Sequence, residues 1–227
     1  MPEQRPPITI KAVVFDLDGT LLDTAPDFVH VLNRMRDEAN LPPLAEPVIR
    51  NTVSDGARAL VSLGFGLTEG EPGFEPLRQR LLDLYLEHLA VQSGPFPGIP
   101  ELLDFLHSRG LAWGIATNKP EIYTTRLLEA LQLQPDCVIC PDHVQHPKPH
   151  PESMHLAANL LRCKAEEIIY VGDHSRDIDC GKQANCITIA AAYGYIKDPH
   201  EVSAWQASHT VDHAAQIRAI VERYLQG

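Results

Sequence analysis

Ala12-Val13-Val14-Phe15-Asp16-Leu17-Asp18-Gly19-Thr20-Leu21-Leu22-Asp23 joins a short apolar run to an acidic turn. Four consecutive apolar residues suit a strand covered on both faces, as in a parallel sheet. Asp16 and Asp18 lie two apart, so the pleat sends both carboxylates to the same side as the chain leaves the strand. Open α/β sheets bind ligands at the carboxyl ends of their strands. Two carboxylates at such a mouth repel each other unless a cation neutralises them, and a hard, oxygen-liganded ion such as Mg²⁺ suits them. Gly19 gives the backbone freedom for a tight turn. Thr20 helps fix the loop, and Asp23 marks a hinge leaving it.

Further apolar runs follow at Leu111 to Ala116, Cys137 to Cys140, Ile168 to Val171 and Ile187 to Ala191. Helical patterns separate them. Residues 100–109 open with Pro100 and stop at Gly110; residues 120–131 open with Pro120; residues 151–162 open with Pro151. Residues 176–184 end before Asn185, which tolerates the left-handed C-cap conformation. This alternation predicts an α/β fold built on a Rossmann-like open parallel sheet. Residues 24–93 break the rhythm with helical periodicity alone: Phe28, Val31, Leu32 and Met35, then Ala57, Leu60 and Val61, then Leu77, Leu81, Leu84 and Leu86. They read as an all-helical insertion, residues 23–94, within an α/β core of residues 1–22 and 95–227. Gly94-Pro95-Phe96-Pro97-Gly98 marks the return. Residues 1–9 read as a loose tail, and residues 200–227 as ending in an amphipathic helix near Leu225. No internal repeat is visible.

The 227 residues suffice for a core domain with a smaller companion. A formal net charge of −11 argues against nucleic acid, whose phosphates need a concentrated basic face. A small anionic substrate stays compatible, since one metal and a few cations reverse the field locally. The N-terminus shows no apolar signal region, and no apolar run approaches the ~20 residues that span a membrane. Five scattered cysteines read as free thiols in a reducing cytoplasm.

Asp16-Leu17-Asp18-Gly19-Thr20-Leu21-Leu22-Asp23 resembles the first motif of the haloacid dehalogenase superfamily phosphatases. Three later pieces match in order. Thr117-Asn118 resembles the second, phosphate-binding motif. Lys148, in His146-Pro147-Lys148-Pro149-His150-Pro151, resembles the third-motif lysine. Gly172-Asp173-His174-Ser175-Arg176-Asp177 resembles the acidic fourth motif. The resemblance implies that Asp16 attacks phosphorus and becomes a phosphoaspartate, while Asp18 protonates the leaving group and later activates water. It implies Mg²⁺ between Asp16, the Asp18 backbone carbonyl and Asp173, with Asp177 orienting a metal-bound water or Lys148. Thr117 and Asn118 are expected to hold the phosphate, with Lys148 neutralising its charge. Arg176 reads as a salt-bridge former.

In the helical insertion, Ser54-Asp55-Gly56-Ala57-Arg58 is the expected substrate contact. Gly56 would let the chain approach the core closely, and Arg58 would recognise a carboxylate or another polar group. Asp18 argues against a dehalogenase, because halide leaves without a proton. Residues 24–93 hold no lysine, which argues against a phosphonatase. The whole pattern, through Ala192-Tyr193-Gly194-Tyr195, most resembles phosphoglycolate phosphatases and the related N-acetylmuramic acid 6-phosphate phosphatases. A sugar-phosphate mutase of the β-phosphoglucomutase type and a non-catalytic binding module are the alternatives. The implied partner is a small phosphomonoester, taken by a monomer or homodimer. Cys137 and Cys140 read as core thiols. His143, His146 and His150 read as a solvent-facing loop that could hold a metal.

Overall fold

The computed structural model describes residues 9–226. Residues 1–8 of the expected tail lie outside the described residues. In chain order the elements are β1 Ala12–Phe15, β2 Leu22–Asp23, α1 Ala25–Glu38, α2 Glu46–Arg50, α3 Gly56–Phe65, α4 Phe74–Glu87, β3 Gly94–Pro95 and α5 Ile99–Ser108. Then come β4 Ala112–Ala116, α6 Glu121–Ala130, β5 Cys137–Ile139, α7 Glu152–Leu160, β6 Ile168–Gly172 and α8 Ser175–Gln183. The chain finishes with β7 Ile187–Ala191, α9 Pro199–Val202, β8 His209–Val211 and α10 Ala215–Leu225.

Six strands form one sheet in the order β5-β4-β1-β6-β7-β8, with every neighbouring pair parallel. Alternation within β1 explains its unbroken apolar run. Val13 and Phe15 enter one core layer with Leu102 and Leu106 of α5 and Ile217 and Val221 of α10. Ala12 and Val14 enter the other with Met154 and Ala157 of α7 and Cys180 of α8. Each large apolar side chain buried this way contributes roughly 1.5–3 kcal/mol. The sheet grows to either side of β1, so the carboxyl end of β1 lies at the topological switch point.

β8 and α9 are absent from the sequence expectation. His209-Thr210-Val211 is short and half polar, and its pairing to β7 comes only from the finished sheet. Asn185 adopts φ +64° after α8, as the C-cap reading expected. All the regular elements between residues 25 and 87 are helices, and α1 buries Phe28, Val31, Leu32 and Met35 on one face. α3 buries Leu60 and Val61, and α4 buries Leu81, Leu84 and Tyr85. Leu22 and Asp23 pair antiparallel with Pro95 and Gly94, so a two-stranded ribbon joins the ends of this helical segment. No helix among the described residues is long and apolar enough to cross a membrane.

Candidate active site

Asp16 follows β1, and its N–H donates to the Val171 carbonyl (2.8 Å), which ties the start of the loop to β6. The chain then turns back, with Leu22 N–H donating to Leu17 O (2.9 Å). Gly19 has φ +84°, and a Cβ there would stand 2.2 Å from Asp173 Oδ2. The turn therefore brings Thr20 Oγ1 within 3.1 Å of Asp173 Oδ1, to which it donates. Gly19→Ala should cost roughly 1–3 kcal/mol from strain and overpacking. A thermal melt checks this, and an unchanged midpoint would contradict the packing argument.

Lys148 sits in the middle of the carboxylates. Its Nζ donates to Asp16 Oδ1 (2.8 Å), Asp177 Oδ1 (2.7 Å), Ala116 O (2.9 Å) and the Tyr170 hydroxyl (3.0 Å). An ammonium has three protons for these four acceptors, so the side chain is held from every direction. Burial pushes its pKa down, but Asp16 and Asp177 outweigh burial and the net shift is upward. Asp173 accepts from Tyr195 N–H (2.9 Å) and Ser54 Oγ (3.3 Å) as well as from Thr20. Burial, then the charges of Asp16 and Asp177, push the Asp173 carboxyl up to about 8. Asp177 is raised for the same leading reason, burial, followed by Asp16.

Thr117 and Asn118 follow β4. Thr117 is buried, and its Oγ1 accepts from Lys119 N–H (3.1 Å). The Asn118 side chain is committed elsewhere than expected. Its Nδ2 donates to Lys148 O (3.0 Å), and its Oδ1 accepts from Lys148 N–H (3.1 Å). The amide thus clamps the lysine segment, and any phosphate contact from Asn118 falls to its backbone N–H.

Two residues beyond the expected set belong to the site. Lys119, on the same β4–α6 turn, is buried and donates to Asp18 Oδ1 (2.8 Å) and to the Tyr85 hydroxyl (2.8 Å). Tyr195 locks the hinge: its hydroxyl accepts from Thr24 N–H (2.6 Å) and Ala25 N–H (2.8 Å) and donates to Asp23 Oδ1 (2.9 Å). Asp23 also takes two bonds from Arg50 Nη1 at 2.9 Å, which fits its reading as a hinge residue.

A cavity of about 350 Å³ opens above this cluster. The core contributes Asp16, Asp18, Thr117, Asn118, Lys119 and Lys148, and the helical segment contributes Phe28, Ser54, Gly56, Arg58, Arg78 and Tyr85. Gly56 has φ +83°, but a Cβ there would meet nothing within 4 Å. The glycine therefore serves backbone conformation at the start of α3, and the loop's close approach to the core is made by its neighbour Ser54, which bonds Asp173 and Arg176. Arg58 lines the cavity while its Nε pairs with Glu69 (2.8 Å), 58% exposed. Arg176 forms no ion pair among the described residues, correcting the salt-bridge expectation. It also lines the cavity, and its guanidinium donates to the Ser54 carbonyl across to the helical segment.

The cysteine and histidine readings resolve simply. All five cysteines are free, and burial raises the Cys137 and Cys140 thiols to about 12 and about 11. His143 turns away to Cys140 N–H and Glu121. His146 and His150 gather at Glu152, whose carboxylate accepts from the Gln145 and His146 N–H groups (2.9 and 3.0 Å). This is a loop latch beside the Lys148 segment.

Asp16, Asp173 and Asp177 each place a carboxylate oxygen within 4.8 Å of the others, all buried. Three buried carboxylates against the single ammonium of Lys148 leave excess negative charge, which the raised Asp173 carboxyl registers. A hard divalent cation fits that donor set.

The model of the family described as haloacid dehalogenase-like hydrolase matches residues 13–191. The chain belongs to that family, whose phosphatases use a divalent metal. It is 44% identical to an N-acetylmuramic acid 6-phosphate phosphatase of Pseudomonas aeruginosa, over 95% of this chain and 96% of the relative. It is 35% identical to a phosphoglycolate phosphatase of Xanthomonas campestris pv. campestris, over 91% of this chain and 94% of the relative. Among solved structures it is similar to a predicted phosphoglycolate phosphatase from Haemophilus somnus 129pt. That likeness has a TM-score of 0.81 and 26% identity, covering 93% of this chain and 97% of the other.

Proposed function

We propose that this chain is a Mg²⁺-dependent phosphatase whose substrate is N-acetylmuramic acid 6-phosphate. One observation carries the reaction class: a carboxylate pair, a four-bonded buried lysine and an acidic turn converge at the carboxyl end of β1. Two observations favour the amino-sugar acid over 2-phosphoglycolate. The stronger of the two quoted similarities is to an N-acetylmuramic acid 6-phosphate phosphatase. In addition, about 350 Å³ is room on the scale of a drug-sized ligand, far more than a two-carbon acid fills.

Residues 23–94 act as a cap over a core formed by residues 1–22 and 95–227. Asp16 is the nucleophile. A carboxylate needs no deprotonation at neutral pH, so the obstacle is its repulsion of an anionic phosphate. Lys148 relieves that repulsion and stabilises charge on the phosphoryl oxygens. Thr117, through its hydroxyl, and Asn118, through its backbone, hold the phosphate. Asp16, Asp173 and the Asp18 backbone carbonyl hold Mg²⁺, while Asp177 acts from behind by fixing Lys148. Bound there, the ion supplies positive charge for the phosphoryl oxygens. Asp18 gives a proton to the leaving alkoxide and takes one from the water that cleaves the acyl phosphate. Arg58 reaches the polar groups of the substrate with the part of its guanidinium not held by Glu69, and Gly56 shapes the loop that presents it. The enzyme works in the cytoplasm as a monomer or homodimer, without nucleic-acid or membrane partners.

Phosphate release from N-acetylmuramic acid 6-phosphate, 2-phosphoglycolate and glucose 6-phosphate, with Mg²⁺ and with EDTA, tests this. The expected ranking by kcat/KM puts the amino-sugar acid first by at least about tenfold, a difference of roughly 1.4 kcal/mol. EDTA should remove the activity and added Mg²⁺ restore it. A preference for 2-phosphoglycolate would refute the substrate assignment, and full activity in EDTA would refute the metal assignment.

A further inference from the structure

Lys119 has no part in the nucleophilic attack, yet it is a buried cation that lines the cavity. Its partners come from two parts of the chain. Asp18 belongs to the loop after β1, and Tyr85 belongs to α4 in the helical segment. The ammonium also lies 4.6 Å from the Tyr85 ring centre and 5.2 Å from that of Phe28 in α1. Those two rings stack on each other, 4.0 Å apart and 6° from parallel. The lysine is thus enclosed by groups from the helical segment, and its ammonium bonds to one oxygen of the Asp18 carboxyl group.

The bonds to Asp18 are unequal between its oxygens. Lys119 Nζ (2.8 Å) and Thr24 Oγ1 (2.5 Å) both donate to Oδ1. Two fixed donors on one oxygen orient the carboxyl plane and leave Oδ2 without either of them, on a residue that lines the cavity. We propose that Lys119 is a positioning residue that aligns Asp18 for proton transfer, and that its alignment is completed when the helical segment seats Tyr85 and Phe28 around it. This rests on the phosphatase reading above. In the first half-reaction the Asp16–phosphorus bond forms and the bond to the leaving oxygen breaks, while the Asp18 proton moves to that oxygen. In the second, water attacks phosphorus, the bond to Asp16 breaks, and a proton from water returns to Asp18. Lys119 exchanges no proton in either step.

Aligned proton transfer is worth about 10²- to 10⁴-fold, and only where the leaving group needs a proton. Single-turnover rates of leaving-group release therefore separate alignment from general damage. The two substrates are an alkyl phosphate, N-acetylmuramic acid 6-phosphate, and p-nitrophenyl phosphate, whose leaving phenolate is stable without a proton. Lys119→Met should lower the alkyl-to-aryl rate ratio at least about 30-fold, mostly in the limiting rate and little in the substrate concentration for half-maximal rate. Tyr85→Phe keeps the ring stack and removes one hydroxyl, and should shift the ratio the same way by about 3-fold or more. It decides the matter alone if Lys119→Met does not fold. Equal losses on both substrates, or an unchanged ratio in Tyr85→Phe, would overturn the proposal. A wild-type protein that releases no phosphate from either substrate would instead overturn the phosphatase reading on which it rests.

Discussion

Asp16→Asn should reduce turnover at least about 10⁴-fold while the protein stays folded. Removing the group that forms the covalent bond leaves only binding and electrostatic stabilisation, and loss of a nucleophile costs this much or more elsewhere. The amide keeps the shape of the carboxylate but lacks its charge and nucleophilicity. Stability should hold or rise, because Asp16 adds charge beside Asp173 and Asp177, both buried. Steady-state phosphate release and a thermal melt together check the claim. Residual turnover above about one part in a hundred would mean that another group attacks phosphorus.

Lys148→Met should damage both catalysis and folding. The lysine is 1% exposed and pairs with Asp16 and Asp177. Removing one partner of a buried ion pair typically costs about 3–5 kcal/mol, since the other charge stays buried without compensation. For a chain of this size that is a fall in Tm of roughly 6–20 °C. The limiting rate should drop about 10²- to 10³-fold, the usual cost of losing one donor to the charge that builds up in the transition state. Added Mg²⁺ should recover part of the stability and little of the rate. A variant with an unchanged Tm would show that the carboxylates carry no burden of unbalanced charge.

The core of this fold was legible because its strands are buried on both faces. Ala12–Phe15 and Ile168–Gly172 are apolar without a break, and the polar residues that follow them mark the strand ends. The spacing of Asp16 and Asp18, and the acidic turn at Asp173, carried the site for the same reason. What stayed hidden depends on partners far away in the chain. Lys119 follows Thr117-Asn118 in plain view, but only Asp18 and Tyr85, 101 and 34 residues away, give its charge a purpose. The side-chain amide of Asn118 grips the backbone of Lys148, 30 residues on, a second task that its place beside Thr117 does not reveal. Tyr195 was visible within Ala192-Tyr193-Gly194-Tyr195, but its bonds to Thr24 and Ala25 are formed by tertiary packing. Arg58 was read from its neighbours in sequence, and Glu69, across the α3–α4 turn, takes part of its guanidinium.

The central claim is the covalent step on Asp16, and it can be trapped chemically. The protein is mixed with substrate and Mg²⁺, quenched within one turnover and reduced with borohydride, which converts an acyl phosphate to the alcohol. Mass spectrometry of the peptide containing residues 12–23 then locates the change. Homoserine is expected at position 16, with Asp18 unmodified. Homoserine at any other position, or turnover without reducible acyl phosphate, would contradict the claim.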